Sequence, residues 1–328
     1  MNALIQADSL QRFYKQRTSS LNPFSGDLIP AVDAVSLTIE KAEILGLVGE
    51  SGCGKTTLGK LLTRIERPTA GSVLFQGKNI ERLGGRKLRK FRRHIQMIFQ
   101  NPYDSLDPRY TIEATVSEPL KIHYRLTRRE RRDKTCEALS MCGLDPDVLI
   151  HKYPHGLSGG ERQRISIVRA IITSPEFIVA DEPVSMLDVS VRATILNLLA
   201  DLRDEHSISF LYITHDIATA RYICDRLAIM YLGEFVELGT VEEVLTKPAH
   251  PYTKILMSAV PEPDPDFEGS SYDLREIAEE DVIPGACRFY PRCPERIEVC
   301  KELRPHLTSI TPEHTVACHL RTSLRNKP

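Results

Sequence analysis

Eight residues constrain this chain more than any others. Gly49-Glu50-Ser51-Gly52-Cys53-Gly54-Lys55-Thr56 fits G-x-x-x-x-G-K-[ST], the pattern of a phosphate-binding loop. Before it, Ile44-Leu45-Gly46-Leu47-Val48 is a short apolar run of buried-strand type; after it, Thr57 to Ile65 reads as a helix. Strand, glycine loop and helix are the context the pattern needs. The glycines let backbone N–H groups turn inward around anionic oxygens. The helix N-terminus adds its partial positive charge. Gly49, Ser51, Gly52, Cys53, Gly54, Lys55, Thr56 and Thr57 are therefore the candidate phosphate-binding residues. Lys55 can reach the outer phosphates, and the Thr56 hydroxyl can ligate Mg²⁺.

A loop of this kind requires an α/β fold, and the rest of the chain supplies one. Its 328 residues suffice for a large core and a smaller second unit. Apolar residues are 41% and charged residues 27%, as in a globular chain. The formal net charge of −1 provides no global basic field, so nucleic acid is not an expected partner. Five basic residues in seven, Lys87 to Arg93, read as a solvated helix face. No apolar run nears the ~20 residues of a membrane span. Asp8, Gln11 and Arg12 interrupt any N-terminal leader, so the expected setting is cytosolic, with docking on a membrane protein left open.

Taken in order, the lead-in to residue 40 is extended, with alternation over Ala34 to Ile39. Tyr14 lies within it, an aromatic that can stack on a base or simply pack. Ile95 to Phe99 is a buried-type strand ending at Gln100, and carboxyl ends of such strands are where open α/β sheets place ligand groups. Residues 105–156 lose strand patterning and read as a helical insertion, Ile112–Ile122 and Thr127–Cys142. Ser158 then opens a helix, with Glu161 completing a capping box and two glycines beside the N-terminus. Phe177 to Ala180 is a strand ending in Asp181-Glu182. An acid there can hold the Mg²⁺ of a P-loop site, and its neighbour can polarise an attacking water. Ile208 to Ile213 is a further strand, ending in Thr214-His215-Asp216.

Four of the eight cysteines, Cys287, Cys293, Cys300 and Cys318, crowd the tail with spacing C-x5-C-x6-C-x17-C. In a cytosolic setting such clustering points to a metal or cluster rather than disulfides. Spacing alone does not separate a four-thiolate zinc site from a [4Fe–4S] cluster.

With these motifs in this order, the chain resembles the ATP-binding subunit of an ABC transporter. Gly49–Thr56 matches Walker A, Gln100 the Q-loop, Leu157–Glu161 the signature, Phe177–Asp181 Walker B, Ser185–Asp188 the D-loop and His215 the switch histidine. Gln100–Tyr103, Tyr153–His155, His250–Thr253 and the cysteine tail from Gly285 to His319 narrow the resemblance to the dipeptide/oligopeptide uptake group. Met186 in the D-loop and Thr56 in place of serine are small departures.

The resemblance implies an α/β P-loop ATPase core over 1–260, with a mixed sheet and an antiparallel β lead-in. It implies a helical subdomain at about 105–160, a linker at 261–284 and a small Cys-rich C-terminal domain at 285–328. It implies ATP and Mg²⁺ as ligands, with Thr56, Gln100 and Asp181 on the metal. Glu182, His215 and Gln100 would be catalytic, and Tyr14 would stack on adenine. Ser158 and Gly160 would serve ATP held mainly by a partner. The tail cysteines would hold a [4Fe–4S] cluster, with zinc as the alternative.

Expected partners are a second ATPase subunit (a heterodimer rather than two copies), two transmembrane permease subunits and, indirectly, an extracytoplasmic binding protein. The expected place is the cytoplasmic face of the cell membrane, peripherally. The implied activity is ATP hydrolysis driving peptide import. Alternatives are a permease-free soluble ABC ATPase, or a related importer for nickel complexes or glutathione.

Overall fold

The computed structural model describes residues 3–15, 28–258 and 283–322. β1 (Ala3–Lys15) and β2 (Leu28–Glu40) form a long antiparallel ribbon, with Leu10 opposite Val35 and Tyr14 opposite Ile29. β3 (Ile44–Val48) runs into the glycine loop and α1 (Lys55–Leu62). β4 (Ala70–Phe75) and β5 (Lys78–Asn79) return to the free edge of β1, giving a sheet of order β2-β1-β4-β5. After α2 (Gly85–Phe91) and β6 (Ile95–Ile98) comes the helical insertion: α3 (Ile112–His123), α4 (Arg128–Met141), α5 (Pro146–Leu149) and α6 (Gly159–Ile171). Thr127 and Ser158 close capping boxes at the starts of α4 and α6, each satisfying donors that a helix start leaves open.

β7 (Phe177–Asp181), α7 (Val189–His206), β8 (Ser209–Thr214), α8 (Ile217–Ile223), β9 (Arg226–Tyr231) and β10 (Glu234–Thr240) complete the core, followed by α9 (Val241–Thr246) and α10 (Pro251–Ser258). Strands β6, β7, β8, β3 and β9 are parallel neighbours. Every residue of β3, β7 and β8 is buried, as parallel strands covered on both faces must be. Their alternation divides the core into two layers. Ile178, Ala180, Phe210 and Tyr212 face α6 and α7, meeting Ile165, Val168, Ile195 and Leu199. Phe177, Val179, Leu211 and Ile213 face α1 and the first sheet, meeting Leu58, Leu61, Leu10 and Val35. Each fully buried aliphatic side chain contributes about 1.5–3 kcal/mol.

The tail holds α11 (Val299–Glu302), β11 (Thr308–Thr311), β12 (His314–Val316) and α12 (His319–Thr322). β12 pairs antiparallel with β10, so the central sheet runs β11-β12-β10-β9-β3-β8-β7-β6. A small separate domain from residue 285 was the expectation. The described tail instead shares the ATPase sheet, and its Phe289 sits in one apolar cluster with Val48, Tyr231 and Tyr252. The linker expected at 261–284 lies outside the described residues, except for its last two positions.

Candidate nucleotide-binding site

Parallel pairing gathers the motifs. Val48 stands beside Thr214, Asp181 beside Ile213, and Ile98 beside Ala180. Four strands thus end together, and the residues that follow them share one rim: the glycine loop, Gln100, Asp181-Glu182 and His215.

The loop is closely backed. A Cβ on Gly49 would lie 2.2 Å from the Met230 carbonyl oxygen, and one on Gly54 would lie 2.0 Å from that of Ala31. Gly54 also adopts φ 106°, which no side-chain-bearing residue takes readily. Lys55 is 5% exposed. Its ammonium donates to the carbonyls of Gly49 and Glu50, each at 2.7 Å, and so spans the loop. Burial pushes the Cys53 thiol up, against the opposing effect of Lys55 beside it.

At the start of α1 the Thr56 hydroxyl donates to Asp181 Oδ1 at 3.1 Å. Burial raises the Asp181 carboxyl, and the Thr56 hydrogen bond offsets part of that rise. A hydroxyl and a buried carboxylate meeting beside a phosphate loop are hard oxygen donors of the kind Mg²⁺ takes. Glu182 is held on both sides: Gln100 Nε2 donates to Oε2 at 2.8 Å, and His215 Nδ1 lies 3.2 Å from Oε1. Its backbone takes φ 45°, fixed by donation of its N–H to the Ile213 carbonyl. Gln100 therefore points at Glu182, not at the Thr56–Asp181 pair.

Tyr14 lies at the end of β1, 37% exposed. Its hydroxyl donates to Glu66 at 2.6 Å, and the Arg12 guanidinium sits 4.9 Å from its ring centre. Ser158 and Gly160 stand apart from the P-loop contacts. Ser158 bonds Glu161, and a Cβ on Gly160 would meet Val191 of α7 at 2.7 Å. A groove of about 480 Å³ between the core and the helical insertion is lined by Ile65, Arg92, Phe99, Ile122, His123 and Arg169.

The tail cysteines depart from the expected metal site. Among the described residues, no three His, Cys, Asp or Glu side chains are arranged to hold an ion. The cysteines form no disulfide. Cys287 and Cys300 are adjacent through a backbone hydrogen bond of 2.9 Å. Burial pushes Cys287 up to about 11 and Cys293 to about 12, and the neighbouring thiols add to both. The donor set fits a thiophilic cation, whose charge would relieve that repulsion, while the geometry is not yet that of a closed site.

Three contacts to the loop region were not foreseen from the motifs. Arg292 grips Glu50 with both Nη atoms, at 2.9 and 3.0 Å. Tyr252 Oη accepts the Glu50 N–H at 3.0 Å. Arg288 and Arg304 both pair with Asp33 and Glu234. The only sequence signals were the arginines beside the tail cysteines and the tyrosine of His250–Thr253.

Comparison with known proteins agrees with this geometry. A family model described as "ABC transporter" matches residues 32–185, and one described as "Oligopeptide/dipeptide transporter, C-terminal region" matches residues 236–300. The chain is 42% identical over 323 residues to the oligopeptide transport ATP-binding protein AppF of Bacillus subtilis (strain 168), covering 97% of each. It is 42% identical over 316 residues to the dipeptide transport ATP-binding protein DppF of Haemophilus influenzae, covering 96% of each. Among solved structures it is similar to the ATP-binding cassette MJ0796, a dimer in a post-hydrolysis state bound to ADP and Pi. The TM-score there is 0.64 at 30% identity, over 72% of this chain and 98% of that one.

Proposed function

The chain belongs to the ABC-transporter ATP-binding proteins of the oligopeptide/dipeptide group, and we propose that it hydrolyses ATP to drive peptide import through a membrane permease. The observation that carries the reading is Glu182, held between Gln100 and His215 on the rim of the P-loop. Peptide as substrate is supported by near full-length similarity to proteins named for oligopeptide and dipeptide transport.

Lys55 and the loop amides bind the outer phosphates, and Tyr14 offers its ring to adenine once Arg12 moves aside. Mg²⁺, when bound, supplies charge neutralisation at the phosphate oxygens; Thr56 and Asp181 would hold it, and Gln100 would join them by releasing Glu182. Glu182 orients and deprotonates the attacking water. His215 fixes the Glu182 carboxylate and faces the terminal phosphate.

Ser158 and Gly160 serve a second subunit's nucleotide, because their own contacts lead away from this chain's P-loop. The second subunit is a related ATPase rather than another copy. Of two permease subunits, one meets this chain at the groove lined by Phe99 and Ile122, with the binding protein reached only through the permease. The chain then sits peripherally on the cytoplasmic face of the membrane. Among the described residues no helix is long and apolar enough to cross it. The four tail thiols would hold a [4Fe–4S] cluster, with zinc as the alternative, on the strength of their spacing.

The test is reconstitution in lipid vesicles with the partner ATPase and both permease subunits. Labelled peptide should enter only with ATP and not with Lys55→Ala. Hydrolysis without uptake of any peptide would overturn the substrate, and failure to recover a permease with the chain would favour a soluble ATPase. Iron, sulfide and zinc analysis of anaerobically purified protein decides the occupant of the tail.

A further inference from the structure

Two segments left without a role by the nucleotide chemistry converge on one loop residue. His250–Thr253 places Tyr252 at the start of α10, and the tail segment Phe289 to Cys293 carries Arg292. Both reach Glu50. Tyr252 Oη accepts its backbone N–H at 3.0 Å, and Arg292 takes its carboxylate in a two-pronged pair at 2.9 and 3.0 Å. These holders are themselves packed together. Tyr231 and Tyr252 pack with ring centres 4.6 Å apart, Phe289 stands edge-on to Tyr231 at 5.2 Å, and the Arg292 guanidinium lies 5.9 Å from the Tyr231 ring centre.

Glu50 is also where the loop holds its lysine. The Glu50 carbonyl, with that of Gly49, accepts the Lys55 ammonium. A continuous path therefore runs from the tail arginine through Glu50 to Lys55. A parallel path braces the back of the loop. The Gly233 N–H donates to the Cys53 carbonyl at 2.8 Å, and Gly233 accepts from the Asp33 N–H at 2.9 Å. Arg288 grips Leu232, Asp33 and Glu234 around that turn, and Arg304 bonds Asp33 and Glu234 at 3.0 and 2.9 Å.

We propose that Arg292 is a positioning residue for ATP binding: by fixing Glu50 it pre-forms the loop and the carbonyls that aim Lys55. Fixing a binding loop before its ligand arrives removes an ordering cost from association. A planar guanidinium fork suits this task better than a lysine point charge. The proposal rests on Gly49–Thr57 being the nucleotide loop.

The test measures Mg-ATP affinity and steady-state hydrolysis on the full chain with its partner subunit. Arg292→Ala should raise Kd and KM roughly five- to tenfold, with kcat at saturating ATP within about twofold. Glu50→Ala, which breaks the same pair from the loop side without changing a tail residue, should weaken binding similarly. Arg292→Lys should fall between, and Arg296→Ala, an exposed neighbour over Tyr290, should change nothing. Arg292→Ala binding like wild type would overturn the proposal. So would a loss with Arg292→Ala that Glu50→Ala does not share, which would mark Arg292 as a support of the tail alone. If the wild-type chain binds no Mg-ATP, it is the nucleotide reading that falls.

Discussion

Glu182 is the side chain on which turnover should depend. Its carboxylate lies between Gln100 and His215 and its backbone is pinned at φ 45°. Glu182→Gln keeps the shape, and the amide can still meet both neighbours, but it removes the proton acceptor. ATP should bind within about twofold of wild type, and hydrolysis should fall by roughly a hundredfold or more, the usual weight of a general base. Near wild-type phosphate release by this variant would show that Glu182 is not the base. At this scale the meeting of particular side chains was legible from residue types. Thr56 and Asp181 are 125 positions apart, yet a P-loop threonine and a strand-end aspartate are predictable partners, and they meet at 3.1 Å. The Gln100–Glu182 bond was not legible, because no residue pattern states which acceptor an exposed amide will choose.

The elements are joined by buried polar contacts that no periodicity announces. Glu237 on β10 is fully buried. It accepts the N–H groups of Ala249 and His250, at 2.7 and 2.9 Å, and lies 2.7 Å from His314 Nε2 on β12. Glu237→Leu leaves those groups without their acceptor and should cost about 3–5 kcal/mol, read as a lower midpoint in denaturant. His250 is buried beside it, and burial pushes its imidazole down to about 4 from an ordinary 6.5. The folded form therefore holds His250 neutral while the unfolded chain binds a proton between those values. Stability from this group is complete above pH 6.5 and is lost as pH falls toward 4. The loss is about 3 kcal/mol in all. Thermal melts from pH 7 to 4 should show this slope, and His250→Gln should flatten it; an unchanged slope would assign acid sensitivity elsewhere. The helices and parallel strands were legible because period 3.6 and apolar runs dominate them. The pairing of β12 with β10 was not, since a three-residue strand carries no pattern.

Over the whole molecule, the rim motifs divide between two places. Gln100, Asp181, Glu182 and His215 gather around the P-loop, whereas Ser158 and Gly160 lie on the helical insertion with partners of their own. If Ser158 serves a second subunit's ATP, Ser158→Arg should leave Mg-ATP affinity of the isolated chain within twofold and suppress hydrolysis in the assembled complex at least tenfold. Weakened binding by the isolated chain would place Ser158 in its own site instead. The isolated wild-type chain should hydrolyse ATP slowly and speed up on addition of its partner. That Ser158 and Gly160 would serve a partner's ATP was an expectation from the resemblance, and their local contacts lie away from the P-loop. The contact of the tail with the P-loop was not, because Arg292 and Glu50 are 242 positions apart and each alone reads as a surface charge.

The pairing of β12 along β10 has one more consequence. A β-strand at the rim of a sheet offers unpaired amides and carbonyls to any passing chain. β11 and β12 cover that rim, and β11 is short and exposed along half its length. Until β12 has been made, the outer edge of β10 has no partner strand from the tail, a condition that favours edge-to-edge pairing between chains. Chains truncated before His314 should therefore aggregate more than the full chain even though every nucleotide motif is intact, and light scattering of the two would read the difference.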